Sequence, residues 1–461
     1  MEIQFSQMQA FIKAQRDFFN TNTTKDLKFR IQQLNKLYYL LKDNEQLLFD
    51  AIYKDFKKSE FDTYISELAL VYHDIKDAKR NIYKWARREK VSTNLLNFPA
   101  KSYIIKEPLG VCLVIGAWNY PYQLSLAPAV AALAAGNTVI LKPSELPAET
   151  SKVMEQLINS SFDPAIFKVV EGGVEETTEL LELDFDKIFF TGSTKVGKIV
   201  YQAAAKNLTP VTLELGGKSP AFVTKDCDLK MTVKRLVWAK FLNAGQTCIA
   251  PDYVMVAESL EEEFLEALKA EIEKEQFAIV NHNYVQIINT DNFERLEKMI
   301  EPSKVFYGGK TNASERTIEP TILKNAAFED AAMQEEIFGP ILPVLTYTNL
   351  DEAISEVKNL PKPLSAYIFT SSAENREKVL QQLAFGGGAV NDAVMHITNP
   401  KLPFGGVGNS GIGSYHGKAG FDCFTHQKSI LHKATWLELP LKYFPHSKSR
   451  LKWIKRTMKF Q

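Results

Sequence analysis

Cysteine is scarce in this chain of 461 residues: Cys112, Cys227, Cys248 and Cys423 are widely scattered and show no CxxC spacing. That pattern suggests neither a disulfide framework nor a cysteine-based zinc site, and it fits a reducing cytosol. An excess of one charge is also lacking. Lys and Arg number 55 and Asp and Glu 55, so no global field favours nucleic acid, and small neutral or weakly charged ligands remain open. The N-terminal stretch MEIQFSQMQAFIKAQRDFF alternates apolar with charged residues and has no unbroken apolar core, which argues against export. No internal repeat or low-complexity tract is present.

Charge itself is missing from residues 108–141, a run long enough to raise the idea of a membrane span. Trp118-Asn119-Tyr120-Pro121, Pro128 and Gly136-Asn137 break it into shorter pieces, which read as a buried strand, a loop, a helix and a second strand.

Hydrophobic residues make up 45% and charged residues 24%, an ordinary balance for a globular protein, and the length suggests about three domains. Residues 1 to 95 carry apolar positions at spacings of three and four among many charges, as expected of a packed helical cover with a solvated face and no chemistry of its own. From residue 111 to 215 the period changes. The runs VCLVI (111–115), TVIL (138–141), FKVV (167–170), KIFF (187–190) and VTLEL (211–215) alternate with helical segments around 123–135, 148–158, 174–182 and 194–206. Such βαβ units predict a parallel sheet with ligands at the carboxyl ends of its strands. Asn119 follows the first of these strands, Lys142 the second and Gly192 the fourth. A second α/β region runs from 216 to about 388, followed by a glycine-rich and then aromatic stretch.

Cys248 stands apart from the other cysteines. It lies in FLNAGQTCIAPDY (241–253), after Asn243, Gly245, Gln246 and Thr247 and before Pro251, the composition of a loop meeting a helix end. A thiol so presented reads as a nucleophile. Around it along the chain stand WNYP (118–121), FTGSTKVG (190–197), LELGGK (213–218) and EEIFGP (335–340).

Five motifs in this order resemble the aldehyde dehydrogenase superfamily, in its class 3 (fatty and aromatic aldehyde) branch, from about Glu45 to about Leu431. The resemblance implies an α/β fold with three parts: a Rossmann-like parallel-sheet cofactor domain, an α/β catalytic domain and a small β oligomerisation flap. The boundaries expected are a helical part of the cofactor domain at 1–96, an oligomerisation strand at 97–109, the NAD-binding domain at 110–213 and the catalytic domain at 214–388. Active-site loops and a second oligomerisation strand follow at 389–435, and a basic tail at 436–461. It also implies a homodimer in the cytoplasm that oxidises a small apolar aldehyde to a carboxylate, with NAD as cofactor and NADP as the alternative.

The resemblance assigns roles residue by residue. Cys248 is the nucleophile, Asn119 with the backbone N–H of Cys248 forms the oxyanion hole, and Glu214, at the end of VTLEL, is the general base for thioester hydrolysis. Trp118 of WNYP contacts the cofactor, and Glu336 and Phe338 are the pair that holds the nicotinamide ribose and flanks the nicotinamide. Gly192, Ser193 and Gly197 open a helix whose amides can face pyrophosphate or the nearby nicotinamide, and Lys142 and Glu145 meet the adenosine ribose. Asn391 and the loop at 403–406 fall near the active site, and Tyr120 and Tyr122 are placed at an apolar entrance. Capture of the thioester by coenzyme A stays open on the residues alone, as do a thiol esterase and a non-catalytic dinucleotide-binding protein.

The end of the chain, 441–461, holds seven Lys or Arg and no acidic residue, with Tyr443, Phe444, Leu451, Trp453 and Ile454 among them. Residues 442–461 read either as a peripheral contact with anionic lipid or as a solvated basic end packing its aromatics on its own domain.

Overall fold

The computed structural model describes residues 2–438 and 440–458, so the last three residues of the basic tail lie outside the described part. The chain divides into a large unit, residues 1–85 with 108–425, and a small one, residues 86–107 with 426–461.

The large unit holds two large sheets and a two-stranded ribbon of Thr311–Asn312 with Thr317–Ile318. The first runs Gly411–Ile412, Val211–Glu214, Lys187–Thr191, Val111–Ile115, Thr138–Lys142, Phe167–Val169, parallel except for the Gly411–Ile412 edge. Its three central strands are buried along their whole length, which is why they read as continuous apolar runs rather than alternating ones. Strand order reverses beside Val111–Ile115. Its two neighbours lead away in opposite directions, which opens a crevice at their carboxyl ends. The second sheet runs Val305–Tyr307, Thr321–Leu323, Ile341–Tyr347, Tyr253–Ala257, Pro220–Val223, Ser365–Phe369, Gly387–Val390, with only the first pair antiparallel.

The charge-free run resolves into strand, helix and strand. Its helix, Pro121–Ala135, starts on a proline at its first position and ends at Gly136, whose φ of 97° lets its amide reach the carbonyls of Ala132 and Leu133. Every residue of it but Ala131 is buried. A helix apolar all round belongs in a core, and this one packs on the helices Ala69–Trp85 and Gly417–Cys423 and on the strand Thr138–Lys142. Among the described residues no helix is long and apolar enough to cross a membrane.

The small unit is a three-stranded sheet of Glu89–Val91, Ala100–Pro108 and Thr425–Lys433. The first two strands are antiparallel, and Lys428 pairs with Glu107 at 2.7 Å. Beyond it the tail forms a helix, Lys448–Thr457, capped by Ser447, which accepts from the Arg450 amide at 3.2 Å. Leu451, Trp453, Phe444 and Met458 are exposed there.

Candidate active site

A cleft of about 660 Å³ opens at the reversal of strand order. Trp118, Asn119, Lys142, Glu145, Gly192, Ser193, Glu214, Cys248, Glu336 and Phe338 all line it. Residues more than two hundred positions apart are thus brought to one surface. Gly197 is off that surface. A Cβ there would come within 2.6 Å of the Leu215 side chain, so its lack of one lets the helix Thr194–Lys206 lie close on the sheet.

At the inner end, the loop carrying the thiol departs from ordinary backbone geometry. Asn243, Ala244 and Gly245 take φ of 54°, 51° and 73° in succession, and non-glycine residues so placed cost about 1–3 kcal/mol each. Gly245 is required by proximity as well, since a Cβ would stand 2.2 Å from the Gly339 carbonyl. Side chains hold the loop in this shape. The Gln246 amide donates to Asn243 O and Gln286 O, both at 3.1 Å, and its oxygen accepts from Ile288 N at 3.0 Å.

Three further bonds tie this loop to the WNYP turn: Asn119 Nδ2 to Gln246 O at 3.0 Å, Asn243 Nδ2 to Asn119 O at 3.0 Å, and Tyr120 OH to Thr247 Oγ1 at 2.7 Å. A primary amide carries two N–H groups. Asn119, on the cleft wall, spends one on Gln246.

Three acids meet here, each with its pKa raised. Burial pushes the Cys248 thiol up, as do Glu336 and then Glu214, while the amides of Cys248 and Ile249 act the other way. Glu214 is raised by burial alone, and neither of its carboxylate oxygens has a partner. It is held between Thr191 and Gly411 in the first sheet. Glu336 is pushed up to about 8, by burial and then by Asp252, against the Gly217 amide, Lys218 and Arg295. A Cβ on Gly216 would lie 2.0 Å from Glu336 Oε2, so only glycine lets this carboxyl rest there.

The EEIFGP loop is fixed from behind. Lys218 pairs with Asp252 at 2.5 Å and donates to Ala332 O and Glu335 O, Asp252 accepts from the Ile337 amide at 3.0 Å, and Arg295 donates to Ile337 O at 2.8 Å. Phe338, at φ 51°, meets Trp118 edge-on with ring centres 5.2 Å apart.

The outer end is more open. Lys142 is buried and its pKa lowered by burial; its Nζ donates to Pro143 O at 2.7 Å and lies 3.6 Å from Glu145, which is half exposed. Ser193 caps the helix Thr194–Lys206 by accepting from the Val196 amide at 3.3 Å. Leu146, Val174, Leu181, Val196 and Ile199 supply an apolar slot beside these groups. A slot for a flat base, an ammonium and carboxylate at a sugar, and a helix N-terminus for phosphate suit a nicotinamide dinucleotide.

One expectation drawn from the motifs falls elsewhere. Tyr122 is not at an entrance but fully buried, its hydroxyl donating to Leu48 O at 2.8 Å. Asn391 spends its amide on the backbone of Thr370, at 2.8 and 2.9 Å. Phe404 packs between the rings of His396 and His416. The sequence reading missed Asn243 and Gln246 as braces, the Tyr120–Thr247 bond, and Asn292 and Arg295 on the cleft wall.

Known proteins carry the same arrangement of chain and fold. The model of the Aldehyde dehydrogenase family matches residues 2–430, so the match takes in the helices ahead of Glu45 and ends within the strand Thr425–Lys433, before the basic tail. The 4,4'-diaponeurosporen-aldehyde dehydrogenase of Staphylococcus aureus (strain NCTC 8325 / PS 47) is 47% identical over 96% of this chain and 97% of its own. The dimeric, NADP-preferring aldehyde dehydrogenase of Mus musculus is 44% identical over 92% and 94%. A solved structure of the substrate-bound state of Staphylococcus aureus AldH superposes with a TM-score of 0.95 at 45% identity, covering 98% of this chain and 99% of that one. The chain belongs to the aldehyde dehydrogenase family, in its class 3 branch, and is an NAD(P)-dependent oxidoreductase that converts aldehydes to carboxylates.

Proposed function

We propose that this enzyme works through a covalent thioester on Cys248, and the observation that carries the reading is the meeting of one thiol, one half-used amide and two buried carboxyl groups at the inner end of one cleft. Cys248 gives up its proton through water to solvent, and the sulfur adds to the aldehyde carbon. The free N–H of Asn119 and the backbone N–H of Cys248 face the alkoxide oxygen. Bound NAD(P)⁺ supplies the acceptor for the hydride whose departure leaves the thioester. Glu214, as carboxylate, takes a proton from water, and the resulting hydroxide releases the acid and frees the thiol.

In this reading Glu336, Phe338 and Trp118 hold the nicotinamide end of the cofactor, Gly192 and Ser193 the phosphates, and Lys142 and Glu145 the adenosine ribose. Gly197 contributes through packing. NAD is the first choice because Glu145 repels a 2′-phosphate, and the half exposure of that side chain leaves it room to turn aside for NADP. The substrate is a medium- or long-chain aliphatic or an aromatic aldehyde, supported by the name of the Staphylococcus aureus relative. Four free cysteines support a cytoplasmic location, and the dimer named for the mouse enzyme supports a homodimer built through the small unit.

The test follows reduced-nicotinamide absorbance with aldehydes of increasing chain length and both cofactors. Cys248→Ala should abolish turnover and Glu214→Gln should let acyl-enzyme accumulate, seen as a mass increase on the peptide holding Cys248. Turnover by Cys248→Ala would end the thioester reading.

The tail forms a second part of the proposal. Its capped helix sets Lys448, Arg450, Lys452, Lys455 and Arg456 among exposed Leu451 and Trp453, the pattern of a segment lying on an anionic membrane. Deleting 442–461 should weaken sedimentation with phosphatidylserine vesicles. Equal sedimentation with and without the tail would leave it as a solvated end.

A further inference from the structure

The N-terminal helical cover contains a charged pair with no contact to solvent. Lys58 and Glu67 are 1% and 0% exposed, and Lys58 Nζ lies 2.7 Å from Glu67 Oε1. Glu67 rides on a π-helical turn, Tyr64–Leu68, a local widening of the helix common at functional sites.

Both partners point at the WNYP turn. Glu67 Oε2 accepts from the backbone amides of Tyr122 at 2.8 Å and Gln123 at 3.4 Å, in the first turn of the helix Pro121–Ala135. The residue preceding that helix, Tyr120, makes no side-chain cap, so a carboxylate from elsewhere in the chain satisfies the amides and the positive end of the helix. Lys58 Nζ sits 4.2 Å from the centre of the Tyr120 ring, a cation–π contact inside the protein. The hydroxyl of that ring bonds Thr247, and the residue after Thr247 is Cys248.

We propose that the Lys58–Glu67 pair is a positioning device for the thiol site: Glu67 pins the helix that begins behind Asn119, Lys58 fixes the ring of Tyr120, and the Tyr120–Thr247 bond carries that placement to Cys248. This rests on the reading of Cys248 as nucleophile. Stability alone does not call for such a pair. Buried ion pairs are often replaced by apolar side chains at no loss, because desolvation offsets their attraction. The pair is spent instead on aligning two loops, where a misplacement of about 1 Å costs on the order of a hundredfold in rate.

The test uses the full-length enzyme. The double variant Lys58→Met/Glu67→Gln removes both charges, keeps an acceptor for the helix amides and leaves no unpaired ion. It should fold, bind cofactor with unchanged KM, lose about tenfold in kcat, and show slower alkylation of Cys248 by iodoacetamide. Tyr120→Phe keeps the packed ring and drops only the bond to Thr247, and it should lower kcat and alkylation in the same direction. Wild-type kcat and alkylation in the double variant overturn the proposal. Should the double variant not fold, wild-type behaviour of Tyr120→Phe overturns it. Cys248→Ala runs alongside: turnover there removes the nucleophile reading, whereas a dead Cys248→Ala with wild-type positioning variants removes only the role of the pair.

Discussion

The two ends of the cleft are built differently. The outer end is assembled from strand ends and the residues that follow them directly, Lys142 with Glu145 and Gly192 with Ser193, and it stays partly open to water. The inner end has no such local origin. Asn119, Glu214, Cys248 and Glu336 come from four separate segments, are held by bonds between those segments, and exclude solvent enough to move every titration upward. A site that only binds can rely on the geometry any parallel sheet provides at its strand ends. A site that must place a sulfur, an amide and a carboxyl against one carbon needs long-range braces and a dry interior.

This contrast can be broken most sharply at Asn119. Asn119→Ala removes the proposed oxyanion donor together with the bond to Gln246, and kcat should fall by about 10²–10³ while cofactor binding, measured by protein fluorescence, stays near wild type. A loss below tenfold would mean that the inner end does not depend on that amide.

A second test concerns dryness. Folded, Glu336 keeps its proton to about pH 8, whereas its ordinary value is 4.5. Between those values the folded state binds more protons than the unfolded one. The stabilisation tied to this residue is therefore full below pH 4.5 and is lost as the pH rises towards 8. Thermal melts should show Tm falling from pH 6 to 9, and Glu336→Gln should flatten that fall. Parallel curves for the two proteins would place Glu336 in water.

The smallest effect is expected at the outer end. Glu145→Gln removes one half-exposed charge, and the ratio of kcat/KM for NADP over NAD should rise by about fivefold or less. An unchanged ratio would take Glu145 out of cofactor choice.

The same contrast governs what could be read from sequence. The parallel sheet was legible because its strands and helices repeat with their own periods, and residues of the motifs at its strand ends, Asn119, Lys142 and Gly192, line the cleft. Tyr122 was misplaced because a tyrosine beside WNYP looks the same from the chain whether it faces a ligand or Leu48. The partners of Asn391 and Phe404, the Thr370 backbone and two histidine rings, were equally invisible from the chain. Lys58 and Glu67 were hidden most completely. In KKSEFDTYISE they read as part of a solvated charged face, and only the tertiary fold shows that both are buried and aimed at Tyr120 and Tyr122.

The helix Pro121–Ala135 bears on how the chain is made. Its first cover, Ala69–Trp85, leaves the ribosome before it does, but Gly417–Cys423, where Gly420 lies 3.2 Å from the Ala131 methyl once a Cβ is built on it, comes off near the end of synthesis. At ordinary elongation rates the nascent protein carries this charge-free segment with one side bare for on the order of tens of seconds. A bare apolar face of that kind is prone to aggregate until it is covered, so truncation before residue 417 should yield aggregates rather than a smaller working enzyme.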